Sequence, residues 1–242
     1  MAQLDGKQIT AIKQLIAAYQ NGVLKNRSKH EVHPGLDAGS KENYLYFSLV
    51  SILNNQRNTT DLWESALNTY LDPATRYLFS PECVIDCRTE RIGASMRKHC
   101  LSLNHVKDVD AWYKLSWTFY AHYNSDPKNI LLDEKESIAN ICRHVQHERQ
   151  QIFPYLRNPR VTNYWLFVLS KFTDVQFKDI YKLSMVMDRQ VIRASEKLEV
   201  ITKKDTIQNM ERKWHSILLD LHISPVAMHD ALYAWSKNDF TF

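Results

Sequence analysis

Residues 153–195, FPYLRNPRVTNYWLFVLSKFTDVQFKDIYKLSMVMDRQVIRAS, decide how the chain is read. The segment runs as a tight polar hairpin, an apolar helix, a connector, and an aspartate that opens another helix. Pro154 and Pro159 bracket Tyr155-Leu156-Arg157-Asn158. Proline breaks a preceding helix and suits a first helical turn, so a helix is expected to restart at Pro159. Val161, Tyr164, Trp165, Phe167, Val168 and Leu169 leave that helix little polar face, which predicts a central, buried position. Asp188 follows Met185-Val186-Met187 and precedes Arg189, Val191, Ile192 and Arg193. There it is a natural N-cap, a carboxylate at the positive end of a helix dipole.

In this order of parts, closing on apolar-apolar-Asp-Arg-x-Val-Ile-Arg, the segment resembles the helix-hairpin-helix DNA glycosylase superfamily, the endonuclease III-like fold. The resemblance covers residues 41 to about 195 best. It implies an all-α, two-lobed fold with a helix-hairpin-helix element and a cleft between the lobes. The whole chain, 1–242, is then one domain: the N- and C-terminal helices join one lobe, and about 90–195 form the hairpin-bearing lobe. It further implies that the hairpin grips a DNA phosphate and that Asp188 is the essential aspartate at the scissile glycosidic bond. Arg160 falls near the position where bifunctional members carry a Schiff-base lysine. Two departures stand out. Tyr155 and Asn158 lie near the glycines of the usual Pro-Gly-x-Gly hairpin, and the lysine itself is missing.

Bulk composition fits such a fold. A hydrophobic content of 44% with 24% charged residues is ordinary for a globular protein. Five glycines, four of them before residue 40, leave little material for the turns of a sheet protein, so helices joined by short loops are expected. The formal charge of +4 and pI of about 8.7 permit a nucleic-acid partner without requiring one. No N-terminal signal-like run occurs, and no stretch approaches the ~18 apolar residues of a spanning helix, so a soluble intracellular protein, in cytoplasm, nucleoid or nucleus, is expected; a monomer is expected as well.

Outward from the deciding segment, residues 134–153 read as one helix with Ile138, Ile141, Cys142, Val145 and Ile152 as its apolar stripe. Arg143, His144, His147 and Arg149 lie along it, with Arg157 and Arg160 beyond. Arginines around exposed backbone amides make a phosphate clamp; the competing reading is a solvated basic face. Cys142 and His144 fall on different helix faces, which argues against a metal site built from them with His147. Upstream, 108–123 is an aromatic-rich helix whose rings are assigned to packing, and Pro127 is expected to end it. Glu90 to Leu103 reads as a further helix.

Residues 4–24 form an amphipathic first helix, and 26–40 a polar loop containing His30-Glu31-Val32-His33, too sparse for a metal site. Residues 41–56 form an apolar helix ending in Asn54-Asn55-Gln56-Arg57, with Asp61 and Glu64 as the capping box of the next helix. In the resembled family a polar run at this point lies beside DNA and the damaged base; alternatively it bonds its own backbone. The four cysteines, Cys83, Cys87, Cys100 and Cys142, form no zinc pattern and read as buried thiols, and none follows residue 142 to hold a C-terminal iron–sulfur cluster. The tail reads as two helices broken at Ser224-Pro225.

The resemblance thus implies a DNA base excision repair hydrolase. It would cleave the N-glycosidic bond of an oxidised or alkylated purine in double-stranded DNA, without a cofactor or metal. Its candidate catalytic residues are Asp188 and Arg160. DNA contact would fall to Arg149, Arg157, Asn158, Arg160, Arg189, Gln56 and Arg57, and the base pocket to Asn54, Asn55 and Trp235. Arginine stays protonated and is a poor amine nucleophile, so lyase activity is not expected. Two other readings stay open: a nucleoside or nucleotide N-glycosidase on the same fold, and a non-catalytic helical interaction protein.

Overall fold

A computed structural model describes residues 5–24, 32–54 and 58–241. Among these, regular structure is helical throughout, with no strand. In chain order the α-helices are α1 (Gly6–Gln20), α2 (Lys41–Ser51), α3 (Thr59–Leu71), α4 (Pro81–Ile85), α5 (Thr89–Lys98), α6 (His105–Tyr123), α7 (Lys128–Asp133), α8 (Ile138–Arg143), α9 (Pro159–Phe172), α10 (Arg189–Lys197), α11 (Ile207–Leu221) and α12 (Pro225–Lys237). A π-helical turn, His144–Glu148, extends α8. With so few glycines, helices stop on other residues in the left-handed region. Asn124 (φ 51°) ends α6 and His222 (φ 54°) ends α11. Asparagine tolerates this conformation through its short polar side chain.

The chain forms two compact units, one drawn from Met1–Lys29 and Ile180–Phe242, the other from His30–Asp179. In the larger unit α2 packs along α9. Tyr44, Tyr46, Phe47, Trp63, Trp165 and Phe167 are all essentially inaccessible there. So large an aromatic core needs partners for its polar edges. Trp165 Nε1 donates to Ser48 Oγ at 2.8 Å, Trp63 Nε1 to Tyr164 Oη at 2.9 Å, and Trp112 Nε1 to the Leu78 carbonyl at 2.8 Å. Phe47 stacks on Phe172 at 4.9 Å, and Tyr46 on Phe79 at 5.4 Å.

In the smaller unit α12 packs against both α1 and α10. Ile12, Leu15, Val191, Trp214, Met228 and Leu232 form its core. Asp5 and Gln8 cap α1 reciprocally, and Gln8 Nε2 also donates to the Glu199 carbonyl at 2.9 Å, tying the start of α1 to the chain beyond α10. Ser195 joins the core to α11: its hydroxyl donates to the Val191 carbonyl and accepts from Trp214 Nε1 at 2.9 Å.

Several boundaries differ from expectation, each for a local reason. Helix α2 stops at Ser51, so Asn54 lies beyond it. Helix α3 starts at Thr59, because Asn58 supplies the cap by accepting from Thr60 N at 3.0 Å, in place of an Asp61–Glu64 box. Helix α5 ends at Lys98, since Cys100 turns left-handed (φ 56°). Asn104 caps α6, which starts ahead of Asp108, and Pro127 opens α7 rather than ending α6. Residues 134–153 are not one helix: Lys135 and Glu136 have positive φ, Ser137 caps α8, and the π turn ends at Glu148. The aromatics of α6 divide. Trp112, Phe119 and Tyr123 pack inside, whereas Trp117 and Tyr120 are exposed. Cys83 and Cys100 are exposed, not buried, and no disulfide joins the four cysteines. Among the described residues no helix is long and apolar enough to cross a membrane.

Candidate functional site

Asp188 occupies the N-cap of α10 in extended backbone geometry. Its Oδ1 accepts from Gln190 N at 2.7 Å and Val191 N at 2.9 Å. The two amides hold Oδ1 at the helix N-terminus. Oδ2 lies 3.0 Å from Nε2 of His229, on α12. That imidazole is almost completely buried, while the Asp188 side chain keeps a quarter of its surface exposed. His229 Nδ1 lies 3.2 Å from Asp230 Oδ1, and Tyr19 on α1 donates to Asp230 Oδ2 at 3.4 Å. Both ring nitrogens thus face carboxylate oxygens, and both contacts are hydrogen bonds only when the ring carries both protons. Next to this chain, Ser236 Oγ donates to Gln190 Oε1 at 2.8 Å. The result is a partly exposed carboxylate, held from below by backbone amides and from behind by a buried imidazole. Such a group can stabilise developing positive charge or orient a water molecule.

The sequence anticipates the cap, because Asp-x-x-Val-Ile after an apolar run is a local pattern. The partnership of Asp188 with His229 and Asp230 has no local signal: it joins positions some forty residues apart. Arg189 is exposed at the first turn of α10. Trp235 belongs to the core of the smaller unit, 7% exposed, with its ring edge-on to Phe240 at 5.1 Å.

The segment expected to form the hairpin belongs to the larger unit. It leaves the π turn at Arg149 and reaches α9 through a run of turns. Phe153 and Leu156 anchor it, both fully buried. Thr162 Oγ1 donates to the Leu156 carbonyl, and Tyr155 Oη donates to Asp110 Oδ2 at 2.6 Å. The bends dispense with glycine because no residue from 149 to 158 has positive φ. Asn158 caps α9, accepting from Arg160 N at 3.0 Å, and Pro159 takes the first helical position as expected.

Arg149, Arg157, Asn158 and Arg160 are all exposed. The clamp expectation needs one correction. The amides of Arg157, Asn158 and Arg160 are not open to a ligand, since they donate to the Phe153 carbonyl, the Tyr155 carbonyl and Asn158 Oδ1. The exposed groups at this end of the turn include the arginine side chains. Asn54, half-buried, donates its amide to the Ser51 carbonyl at 3.2 Å; Asn55, Gln56 and Arg57 lie outside the described residues, as do His30 and Glu31. His33 packs between Phe47 and Phe172, at 5.5 and 5.4 Å.

No protein-family model matches the chain, and no curated protein matches its sequence.

Proposed function

We propose that the protein is a DNA N-glycosylase that excises a damaged purine, oxidised or alkylated, from duplex DNA. The observation that carries this reading is Asp188: a carboxylate at the N-terminus of α10, partly exposed and backed by the buried His229. In the sequence resemblance it falls on the family's essential aspartate. Cleavage of an N-glycosidic bond passes through an oxocarbenium-like sugar, and a fixed carboxylate stabilises that charge without reorganising at the moment of reaction. Asp188 Oδ1 accepts from two backbone amides and Oδ2 faces His229 Nε2 at 3.0 Å, and the exposed part of this fixed carboxylate is assigned to the sugar or to the attacking water.

The reading gives the exposed Arg157 and Arg160, with Arg149, the task of holding the DNA backbone. Such contacts position the duplex without reading its sequence. Extrusion of the damaged nucleotide costs a few kcal/mol, offset by these contacts. With Arg160 near the place of an amine nucleophile, water is the attacking group, and the product is an intact strand carrying an abasic site.

The test is base release under single turnover from duplexes carrying 8-oxoguanine, hypoxanthine, an alkylated adenine or uracil, with duplex binding measured alongside. Release of one purine lesion, with a strand break appearing only after alkali, is the expected result. Nicking without alkali would show that an amine nucleophile acts instead. Failure on every duplex together with turnover of a free nucleoside would transfer Asp188 to a nucleoside N-glycosidase.

A further inference from the structure

In the larger unit, the π turn after α8 gathers a second set of chemically capable side chains. His144 and Glu148 lie on the turn itself, and Glu134 follows the end of α7. His144 Nδ1 is 3.0 Å from Glu134 Oε1 and 3.6 Å from Glu148 Oε2. Around a tetrahedral ion with bonds of about 2.0–2.1 Å, neighbouring donor atoms stand roughly 3.3 Å apart, between these two separations. One donor atom from each of the three residues lies within 4.8 Å of the other two.

The imidazole is held for such a role from behind. Its Nε2 lies 2.8 Å from Tyr123 Oη, and its ring sits edge-on to Tyr123 and to the buried Phe153, at 6.4 and 6.0 Å. A metal-bound histidine characteristically donates its other ring N–H to an oxygen, which fixes tautomer and ring plane. Glu134 and His144 are mostly enclosed, at 17% and 14% side-chain exposure, whereas Glu148 is 52% exposed and opens a path from solvent. Arg143 Nε holds Glu148 Oε1 at 3.0 Å, leaving Oε2 turned to His144. Short π-helical turns concentrate at functional positions, and this one carries two of the three donors.

We propose that Glu134, His144 and Glu148 form a binding site for a divalent first-row cation such as Zn²⁺. His144 gives Nδ1 and each glutamate one oxygen, and a water molecule completes the tetrahedron. The ion binds Nδ1 of the neutral ring, whose single proton then lies on Nε2 and is donated to Tyr123 Oη. One imidazole with two carboxylates and an open position suits Zn²⁺ and its neighbours better than Ca²⁺ or Mg²⁺, which favour all-oxygen sets. The bound ion would join the end of α7 to the turn from which residues 149–158 depart. It takes no part in the chemistry assigned to Asp188, and the site stands or falls independently of the glycosylase reading.

Equilibrium dialysis of the full chain against Zn²⁺, with Co²⁺ absorption as a geometric readout, tests this directly. One ion per chain is expected, with the visible absorption of four-coordinate Co²⁺. Glu148→Gln, at an exposed position, and Glu134→Gln should each weaken binding at least tenfold. Tyr123→Phe should weaken it about tenfold through the lost partner of Nε2. His147→Gln and Cys142→Ser should bind like the wild type: His147 is exposed and outside the set, and burial, with Asp179 adding to it, pushes the Cys142 thiol up to about 11. Absence of stoichiometric binding, or binding unchanged in Glu148→Gln and Glu134→Gln, would overturn the proposal and leave His144 as a structural partner of Glu134 and Tyr123.

Discussion

At the scale of single residues, Asp188 does two jobs that substitution can separate. Asparagine caps a helix about as well as aspartate, because its Oδ1 can accept from Gln190 N and Val191 N as the carboxylate does. Asp188→Asn is therefore expected to fold, with stability within about 1 kcal/mol of wild type by urea unfolding, while alanine, which loses the cap, costs about 1 kcal/mol or more. Arg157 and Arg160 provide the matching test on the DNA side. Replacing each with glutamine should lower duplex affinity for all sequences alike and reduce the slope of log affinity against log salt by about 1 per arginine. An unchanged slope, read by fluorescence anisotropy across a salt series, would remove them from the interface.

At the scale of elements, α9 was largely legible in the sequence. Pro159 marks where the helix begins, and the unbroken apolar run marks it as central. The burial of Trp165 against Ser48 follows, and so does a prediction. Trp165→Phe removes the donor and leaves a buried hydroxyl short of a partner, which costs about 1–3 kcal/mol in urea unfolding. A loss under a few tenths would mean that the hydroxyl re-pairs. Other boundaries were illegible because they depend on conformations that residue type only weakly biases. A cysteine at Cys100 and the pair Lys135-Glu136 adopt positive φ, and neither announces a helix end as glycine would. The break of 134–153 into α8, a π turn and a glycine-free bend is the main instance. The apolar stripe is real, but the backbone beneath it is not one helix. The same break is what brings Glu134 beside His144, two positions that a continuous helix would not have paired.

At the scale of the molecule, the all-helical class followed from composition, whereas the surroundings of Asp188 did not. His229 and Asp230 reach it only when α12 packs on α10, and no spacing rule encodes that. The ion pairs of the fold set its acid limit. Lys98 and then His99 hold Asp72 below the usual carboxylate range; Lys128 and Tyr44 do the same for Asp174, and Lys213 for Asp205. A carboxyl depressed in the folded state contributes stability above its unfolded value, near 3.9, and loses it as pH falls through the folded value. The melting temperature should thus be level from about pH 7 to 5 and fall below about pH 4, with a shallower fall in Asp174→Asn. At the alkaline end the sign reverses. Burial pushes Tyr123 up to about 12, and raises Tyr46 as well, so their contribution is complete below the unfolded value near 10 and is lost as pH climbs beyond it.

The most direct test of the central claim is single-turnover base release by wild type and Asp188→Asn on the same lesion-bearing duplex, with binding and far-UV circular dichroism recorded for both. The account predicts that Asp188→Asn binds the duplex and keeps its helical signal, yet releases base at least a hundredfold more slowly, in line with loss of one preorganised charge at the transition state. Equal rates from the two proteins would contradict it, because Asp188 would then be a helix cap and nothing more.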